Sequence, residues 1–326
     1  MDAISAAQHR AAEAERAVRG QYVRHLGPIA WARAAAPGGH DGSTWHYWWH
    51  AHLLDALGDA QRHRPHPGRR RVARAIAHGV TLRTAGRWVN AFYDDIAWMG
   101  LALARTRPRS HALARIVHRL ERGIDPEVGA LPWAVGSDLY NAPANGPAAI
   151  LLARTGRRRA ATGLTTWIAT TLDDPDTGLV RDGVEPGRVR PDLWTYNQGT
   201  AIGAALALGD TERAANLVAA VDRWCAPDDG LFPAPGGGDG GLFAGILARY
   251  LAQAAHELDG GAAATATRLV RRNAEALWAT RLADPRFSAD PRRRARHEGD
   301  DLDLSVQLGA WITFEAAVDV EAAVTS

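Results

Sequence analysis

The sequence predicts an all-α fold, an (α/α)6 barrel (toroid) of six helical hairpins, on three observations. Ala, Leu and Arg, which favour helix, fill long stretches, while runs of alternating β-branched and aromatic residues are few. The starts of every second helical segment recur about every 50 residues, the mark of a repeated two-helix unit. Alternate segments are apolar nearly all round, as helices enclosed on every side must be.

The helical segments fall at about 3–23, 43–61, 69–80, 92–106, 109–122, 140–155, 157–171, 195–208, 210–223, 241–256, 261–279 and 301–319. Links after the even segments are mostly short, as at Arg107-Pro108 and Gly209-Asp210. Links after the odd segments are long and rich in Gly, Pro, Asp and Trp: 25–42, 123–139, 173–194, 226–240 and 282–300. Segments 4 (IAWMGLALA), 8 (GTAIGAALAL) and 10 (GLFAGILARYLA) have no polar face and are assigned to the inside. Segments 3, 5 and 11 carry arginines every three or four residues on one face, as outer helices should. All the long loops then gather at one rim, around the N-termini of the inner helices, and that rim is where a cleft is expected. Residues 1–326 read as one catalytic domain of this kind.

Composition excludes several chemistries. The chain has no lysine, so all 38 of its basic residues are arginine. That removes Schiff-base and pyridoxal-phosphate chemistry, the phosphate loop ending in Lys-Ser/Thr and the kinase lysine. Cys225 is the sole cysteine, which excludes an internal disulfide framework and multi-cysteine metal sites. The net charge is only +2 and is spread along the chain, so no nucleic-acid partner is expected. The arginine runs Arg69–Arg71, Arg157–Arg159 and Arg292–Arg294 read as solvated surface. No stretch approaches the run of about 18 apolar residues that a membrane span needs. The first residues read as an amphipathic helix without the pattern of a signal peptide, which makes the cytoplasm the default location and secretion the alternative should a leader precede them.

The sharpest chemical feature is Phe92-Tyr93-Asp94-Asp95-Ile96-Ala97-Trp98 at the head of segment 4. Two adjacent carboxylates open a helix that is otherwise apolar, and burying an unpaired charge costs several kcal/mol, so the pair should face a wet cleft. A helix N-terminus favours an anion, yet neighbouring carboxylates repel, so one pKa rises while the other group stays ionised. A retaining glycosidase needs that split: an ionised nucleophile and a protonated acid. A plain helix-capping role for the two aspartates is the alternative.

Aromatics gather near the same rim: Trp45, Trp48, Trp49, Trp88, Trp98, Trp133 and Trp194, among twelve tryptophans in all. A sugar ring packs its C–H face on an aromatic while its hydroxyls need polar partners. Such partners are offered by Thr195-Tyr196-Asn197-Gln198-Gly199 at the head of segment 8 and by Tyr140-Asn141 at the head of segment 6, unless these residues serve as caps. His46 and His50 stand four apart, a spacing able to chelate zinc, but no Glu lies between them and no third ligand is evident. Asp300, Asp301 and Asp303 lack the glycine and closing Glu of a calcium loop and read as the cap of segment 12. No metal and no cofactor is expected. The glycine-rich stretch 236–241 follows no strand and reads as a flexible rim loop.

Taken together, these residues resemble glycoside hydrolase family 76, the endo-α-1,6-mannanases, from about Trp45 to Ala316. The resemblance is carried by Trp48-Trp49 with the following His52-Leu53-Leu54-Asp55, by Tyr93-Asp94-Asp95-Ile96-Ala97-Trp98, by Tyr140-Asn141-Ala142, by Thr195-Tyr196-Asn197-Gln198-Gly199 and by Phe243-Ala244-Gly245-Ile246 with Arg249-Tyr250. It implies an (α/α)6 barrel that cleaves α-1,6-mannosides with retention, with Asp94 as nucleophile and Asp95 as general acid and base. It further implies an α-mannan or manno-oligosaccharide substrate contacted by Trp48, Trp49, Tyr93, Trp98, Trp133, Asn141, Tyr196, Asn197, Gln198 and Phe243. The chain departs from the family pattern at Ala244, where a lysine is common, and in the single Trp133 where a tryptophan pair is usual. Two other readings compete: a sugar epimerase or isomerase on the same scaffold, working through His46, His50 or His256, and a non-catalytic glycan-binding homologue.

Overall fold

A computed structural model describes residues 2–36, 44–107 and 110–324. Its α-helices are α1 (Ala3–Gln21), α2 (Tyr47–His63), α3 (Pro67–Arg83), α4 (Tyr93–Thr106), α5 (His111–Gly123), α6 (Ala142–Arg154), α7 (Arg158–Thr171), α8 (Thr195–Leu208), α9 (Thr211–Ala220), α10 (Phe243–Glu257), α11 (Gly260–Thr280) and α12 (Leu304–Val324). The even helices form a closed inner ring in which each packs on the next and α12 returns to α2, while the odd helices lie outside against them. The fold is the expected (α/α)6 barrel.

Burial follows from this placement. Inner helix α6 buries every residue from Ala142 to Ala153, whereas outer helix α5 buries only Leu113, Ile116, Val117 and Leu120, a single stripe at helical spacing. Small residues let the inner helices approach: a Cβ on Gly309 would stand 2.2 Å from the Gly241 carbonyl oxygen, and one on Gly245 would stand 2.5 Å from that of Gly309. Any larger residue there would force α10 and α12 apart. No helix among the described residues is long and apolar enough to cross a membrane.

Helix α2 starts at Tyr47, four residues after the expected start at Ser43, which lies outside the described residues, as do Pro108 and Arg109 of one short link. The long loops also contain strands that the sequence hid. Strands β1 (Val23–Leu26) and β2 (Ile29–Ala32) form an antiparallel hairpin. Strands β3 (Tyr140–Asn141), β4 (Gly183–Glu185) and β5 (Arg188–Arg190) form a small antiparallel sheet among the rim loops. Segments of two to four residues are too short to display alternation.

The arginine runs are not all solvated surface. Arg69 is buried and pairs with Glu15 at 2.7 Å, joining α3 to α1, while Arg292 and Arg293 reach Asp229 at 2.9 Å and Asp301 at 2.7 Å. A guanidinium can enter the interior when its charge and its fork of donors are met there. Inside the ring, below the rim, Arg105 of α4 and Arg249 of α10 both bridge Asp55 and Asp59 of α2. At the end of α2, His63 lies between Glu315 at 2.6 Å and Asp319 at 2.8 Å. Burial opposes its charge, but the hydrogen bonds to Asp319 and Glu315 prevail and raise its pKa to about 9.

Candidate active site

Asp94 and Asp95 occupy the first turn of α4 and are half-buried at the rim. The chain entering α4 runs antiparallel to the loop before α6: the Tyr93 N–H donates to the Trp133 carbonyl at 2.9 Å and the Val135 N–H to that of Ala91 at 2.9 Å. This pairing sets the Trp133 indole against the first carboxylate, and its Nε1–H donates to Asp94 Oδ2 at 3.0 Å. Asp94 Oδ1 accepts the Asp95 N–H at 2.7 Å. Asp95 has a different partner, Asn90, whose Nδ2 donates to Asp95 Oδ2 at 2.5 Å. The chain reaches Asn90 through Trp88, a bulky residue with a φ of 61°. That backbone is held because the Trp88 N–H donates to Thr84 Oγ1 at 3.2 Å and its carbonyl accepts the Tyr47 hydroxyl at 2.9 Å.

A third carboxylate completes the cluster. Asp239 Oδ1 accepts the indole N–H of Trp48 at 3.1 Å and that of Trp49 at 3.0 Å. The glycine-rich stretch around it is thus pinned, contrary to the flexible loop expected: 238–242 form a turn of 3-10 helix, and the Gly238 N–H donates to Asp303 Oδ2 at 2.8 Å. The Asp303 carbonyl accepts the Gln307 N–H at the start of α12 at 3.3 Å, so this residue both opens the helix and ties down the loop. Asp301 is buried and accepts N–H groups of Ala289 and Arg296, each at 2.7 Å, together with the Arg293 guanidinium. Asp239 and Asn90 were missed in the sequence. The usable signal for Asp239 was a lone acid in a glycine run just ahead of an inner helix, the station that Asp94 holds on α4.

The two neighbouring carboxylates differ electrostatically. Burial raises the pKa of Asp94 to about 6, resisted by the hydrogen bonds from the Asp95 N–H and Trp133. Burial and then the Asp94 charge push Asp95 higher, to about 7, with Asn90 alone among the partners pulling it down. The Asp239 charge adds to both rises. Both carboxylates are thus held above the ordinary range by burial, and the hydrogen bonds favour the anion on Asp94 more than on Asp95.

Aromatic rings flank the carboxylates. Trp133 is 38% exposed and tilts against Phe92 at 4.9 Å between centroids. Tyr196 stacks on Phe243 at 4.0 Å, and Trp194 leans on the same ring at 5.7 Å. Burial raises the Tyr196 hydroxyl well above its usual pKa, with the charges of Asp182, Asp94 and Asp239 adding to the rise. A cleft of about 450 Å³ opens beside Asp95 and is lined by Trp45, Trp48, Asn90 and Phe92.

Three expected sugar contacts face the protein instead. The Tyr93 ring is buried against Gly123 and the Arg119 guanidinium of α5. Asn141 caps α6, its Oδ1 accepting the Ala144 N–H at 3.2 Å. Gln198 is fully buried and bonds both ways to the Val180 backbone, at 2.7 and 2.8 Å. A buried amide requires partners, and the nearby backbone supplies them. Asn197 is also buried, with Nδ2 on Asp182 Oδ1 at 3.3 Å, and Trp98 lies below the rim with its ring 4.7 Å from that of His52.

The histidine readings are corrected too. His46 precedes α2 and stacks on Trp49 at 3.9 Å, so it does not share a helical face with His50. His50 Nδ1 meets the His46 carbonyl at 2.7 Å and Nε2 accepts the Ala32 N–H at 3.0 Å, while burial lowers its pKa to about 4. Neither nitrogen is open to a metal or a substrate. His256 lies in the last turn of α10, against the Asp319 carbonyl, some 20 Å of helix from the rim.

The profile of Glycosyl hydrolase family 76 matches residues 28–310. Among solved structures, the GH76A α-1,6-mannanase from Salegentibacter sp. HEL1_6 superposes with a TM-score of 0.85 at 26% identity, over 95% of this chain and 98% of that one. An inactive variant of that enzyme, with two consecutive aspartates replaced by asparagine, is solved in complex with α-1,6-mannotriose; it matches with a TM-score of 0.84 at 25% identity, over 96% of this chain and 99% of that one. The Lin0763 protein from Listeria innocua shares the fold, with a TM-score of 0.84 at 23% identity over 97% and 98% of the two chains. No curated protein sequence matches. The agreement of the toroid, the rim groove and the family profile over most of the chain leads to one conclusion: this protein is a glycoside hydrolase that belongs to glycosyl hydrolase family 76.

Proposed function

We propose that the protein cleaves α-1,6-mannosidic linkages with retention, Asp94 acting as nucleophile and Asp95 as general acid and base. The observation that carries the proposal is the difference between the two carboxylates: hydrogen bonds from the Asp95 N–H and the Trp133 indole steady an anion on Asp94, while Asp95 has Asn90 alone and is pushed up by burial and by the Asp94 charge. The Asp94 carboxylate attacks the anomeric carbon of the mannosyl unit as Asp95 gives its proton to the departing O6, leaving a mannosyl–Asp94 ester and a shortened chain. Asp95, now ionised, takes a proton from a water that attacks the same carbon, which frees Asp94 and restores the acid. Trp48, Trp133, Tyr196 and Phe243 supply the aromatic walls for the sugar rings, while Trp49, buried against His46, supports them from within by holding Asp239. The substrate is drawn from the α-1,6-mannanase relative and the α-1,6-mannotriose bound by its inactive variant.

The test is incubation with α-1,6-mannotetraose, with the products and their first-formed anomer followed by NMR. The α-anomer should appear first. Asp94→Ala and Asp95→Ala should each reduce turnover by about a thousandfold or more while circular dichroism is unchanged. Azide should convert the Asp94→Ala reaction to a β-mannosyl azide. A β-anomer from the wild type, or full activity in either variant, refutes the assignment.

A further inference from the structure

The outer wall of the barrel carries a second aromatic cleft. It lies between the Asp173–Gly178 turn, which follows α7, and helix α9 with its extension Val221–Cys225, and is a shallow, solvent-open depression of about 800 Å³. None of its lining residues belongs to the rim groove. The extension is π-helical, the Ala226 N–H donating to the Val221 carbonyl five residues back at 3.2 Å, a geometry that concentrates at functional sites. It carries Trp224, which is 47% exposed and more open than any other tryptophan of the chain, and the Arg223 guanidinium lies 5.0 Å from that ring's centroid.

The polar groups of this cleft are of two kinds. Asp173 and Arg213 neutralise each other through two bonds of 2.8 and 2.9 Å. Asn216, Asp176 and Glu212 line the cleft with no hydrogen-bond partner among the described residues. A half-exposed indole with the Arg223 guanidinium over one face, carboxylates that accept from hydroxyls, and Asn and Arg groups that donate to them make the combination that binds a pyranose ring. Beyond the Asp173–Arg213 pair, the carboxylates of Asp176, Asp210 and Glu212 outnumber the Arg223 guanidinium and disfavour an anionic ligand. The volume lies in the range of small-molecule clefts, about 300–1,000 Å³.

We propose that this cleft is a non-catalytic carbohydrate site, with Trp224 as the stacking platform, that holds a stretch of the same neutral mannan chain on which the rim groove acts. The inference rests on the mannan reading given above. Its use is bivalency: a polymer held at the wall presents its other segments to the rim at raised local concentration, while a short oligosaccharide cannot span both sites.

The test is affinity electrophoresis through gels containing soluble α-1,6-mannan, comparing the full chain with Trp224→Ala and Trp224→Phe, beside turnover of α-1,6-mannotetraose. Trp224→Ala should weaken retardation by the polymer about tenfold, Trp224→Phe should retain most of it, and tetraose turnover should be unchanged in both. Wild-type retardation of Trp224→Ala overturns the proposal, as does an equal loss of tetraose turnover. A change in mass by light scattering, with retardation intact, also overturns it, because the surface would then be a protein interface. Should the wild type cleave no α-1,6-mannoside, the catalytic reading fails by itself. Retardation that depends on Trp224 still supports the wall site in that case, and its absence still overturns it.

Discussion

Trp133 Nε1 stands 3.0 Å from Asp94 Oδ2, so a residue on one rim loop steadies a carboxylate on the first turn of an inner helix. The indole favours the ionised form of Asp94 and opposes the rise that burial produces. Trp133→Phe keeps an aromatic wall but removes the donor. The Asp94 pKa should then climb above about 6, and the acid limb of the kcat/KM profile should move to higher pH while the alkaline limb stays. An unmoved acid limb would show that this hydrogen bond does not govern the titration.

Asn90 plays the corresponding part for Asp95, favouring its charged form. Asn90→Ala should raise the Asp95 pKa beyond about 7, so the acid would stay protonated further into the alkaline range and the descending limb would shift upward. The plateau rate should fall modestly as the side chain loses its anchor, which pre-steady-state kinetics at several pH values can separate.

Asp239 adds negative charge beside both groups. Asp239→Asn is nearly isosteric and removes that charge, so both limbs of the profile should move to lower pH together. The same change weakens the grip of the Trp48 and Trp49 indoles, and KM for mannotetraose should rise severalfold.

The raised carboxylates also tell on stability. A group whose folded pKa exceeds its unfolded value favours the folded state only while protonated, and that advantage is lost as pH climbs from about 4 through the folded pKa of about 7. Asp95→Asn should therefore raise Tm by about 2–6 °C at pH 8 and have little effect at pH 4. Differential scanning calorimetry at the two pH values decides it.

His63 works in the opposite sense. Its folded pKa of about 9 lies above the usual 6.5, so its ion pairs with Glu315 and Asp319 stabilise fully below pH 6.5 and fade as pH passes 9. His63→Gln should cost about 2–4 kcal/mol in urea unfolding at pH 6. That difference from wild type should shrink by pH 10.

Much of this architecture was legible without coordinates. The recurrence of two-helix units, the faceless character of segments 4, 8 and 10, and the position of Asp94-Asp95 at a helix head depend on local pattern, which a linear chain displays directly. So did the aromatic content of the rim, because Trp48, Trp133 and Phe243 lie in loops or first turns. The β1–β2 hairpin was not legible because its strands are too short to alternate, and strand β3, the buried Arg69 and the inward turn of Tyr93 were not because each depends on a partner remote in sequence: Val184 for Tyr140, Glu15 for Arg69, Gly123 and Arg119 for Tyr93.

The sequence by itself determined the ring of hairpins, the rim and the acidic pair, because hydrophobic period and loop length suffice to order helices. Only the tertiary structure decided which rim groups face the groove. It pinned Asp239 between two indoles, turned Gln198 to the Val180 backbone, and gave Asp94 and Asp95 different hydrogen-bond partners. The physical reason is that a side chain's direction and pKa are set by burial and by partners that only the closed ring brings within reach.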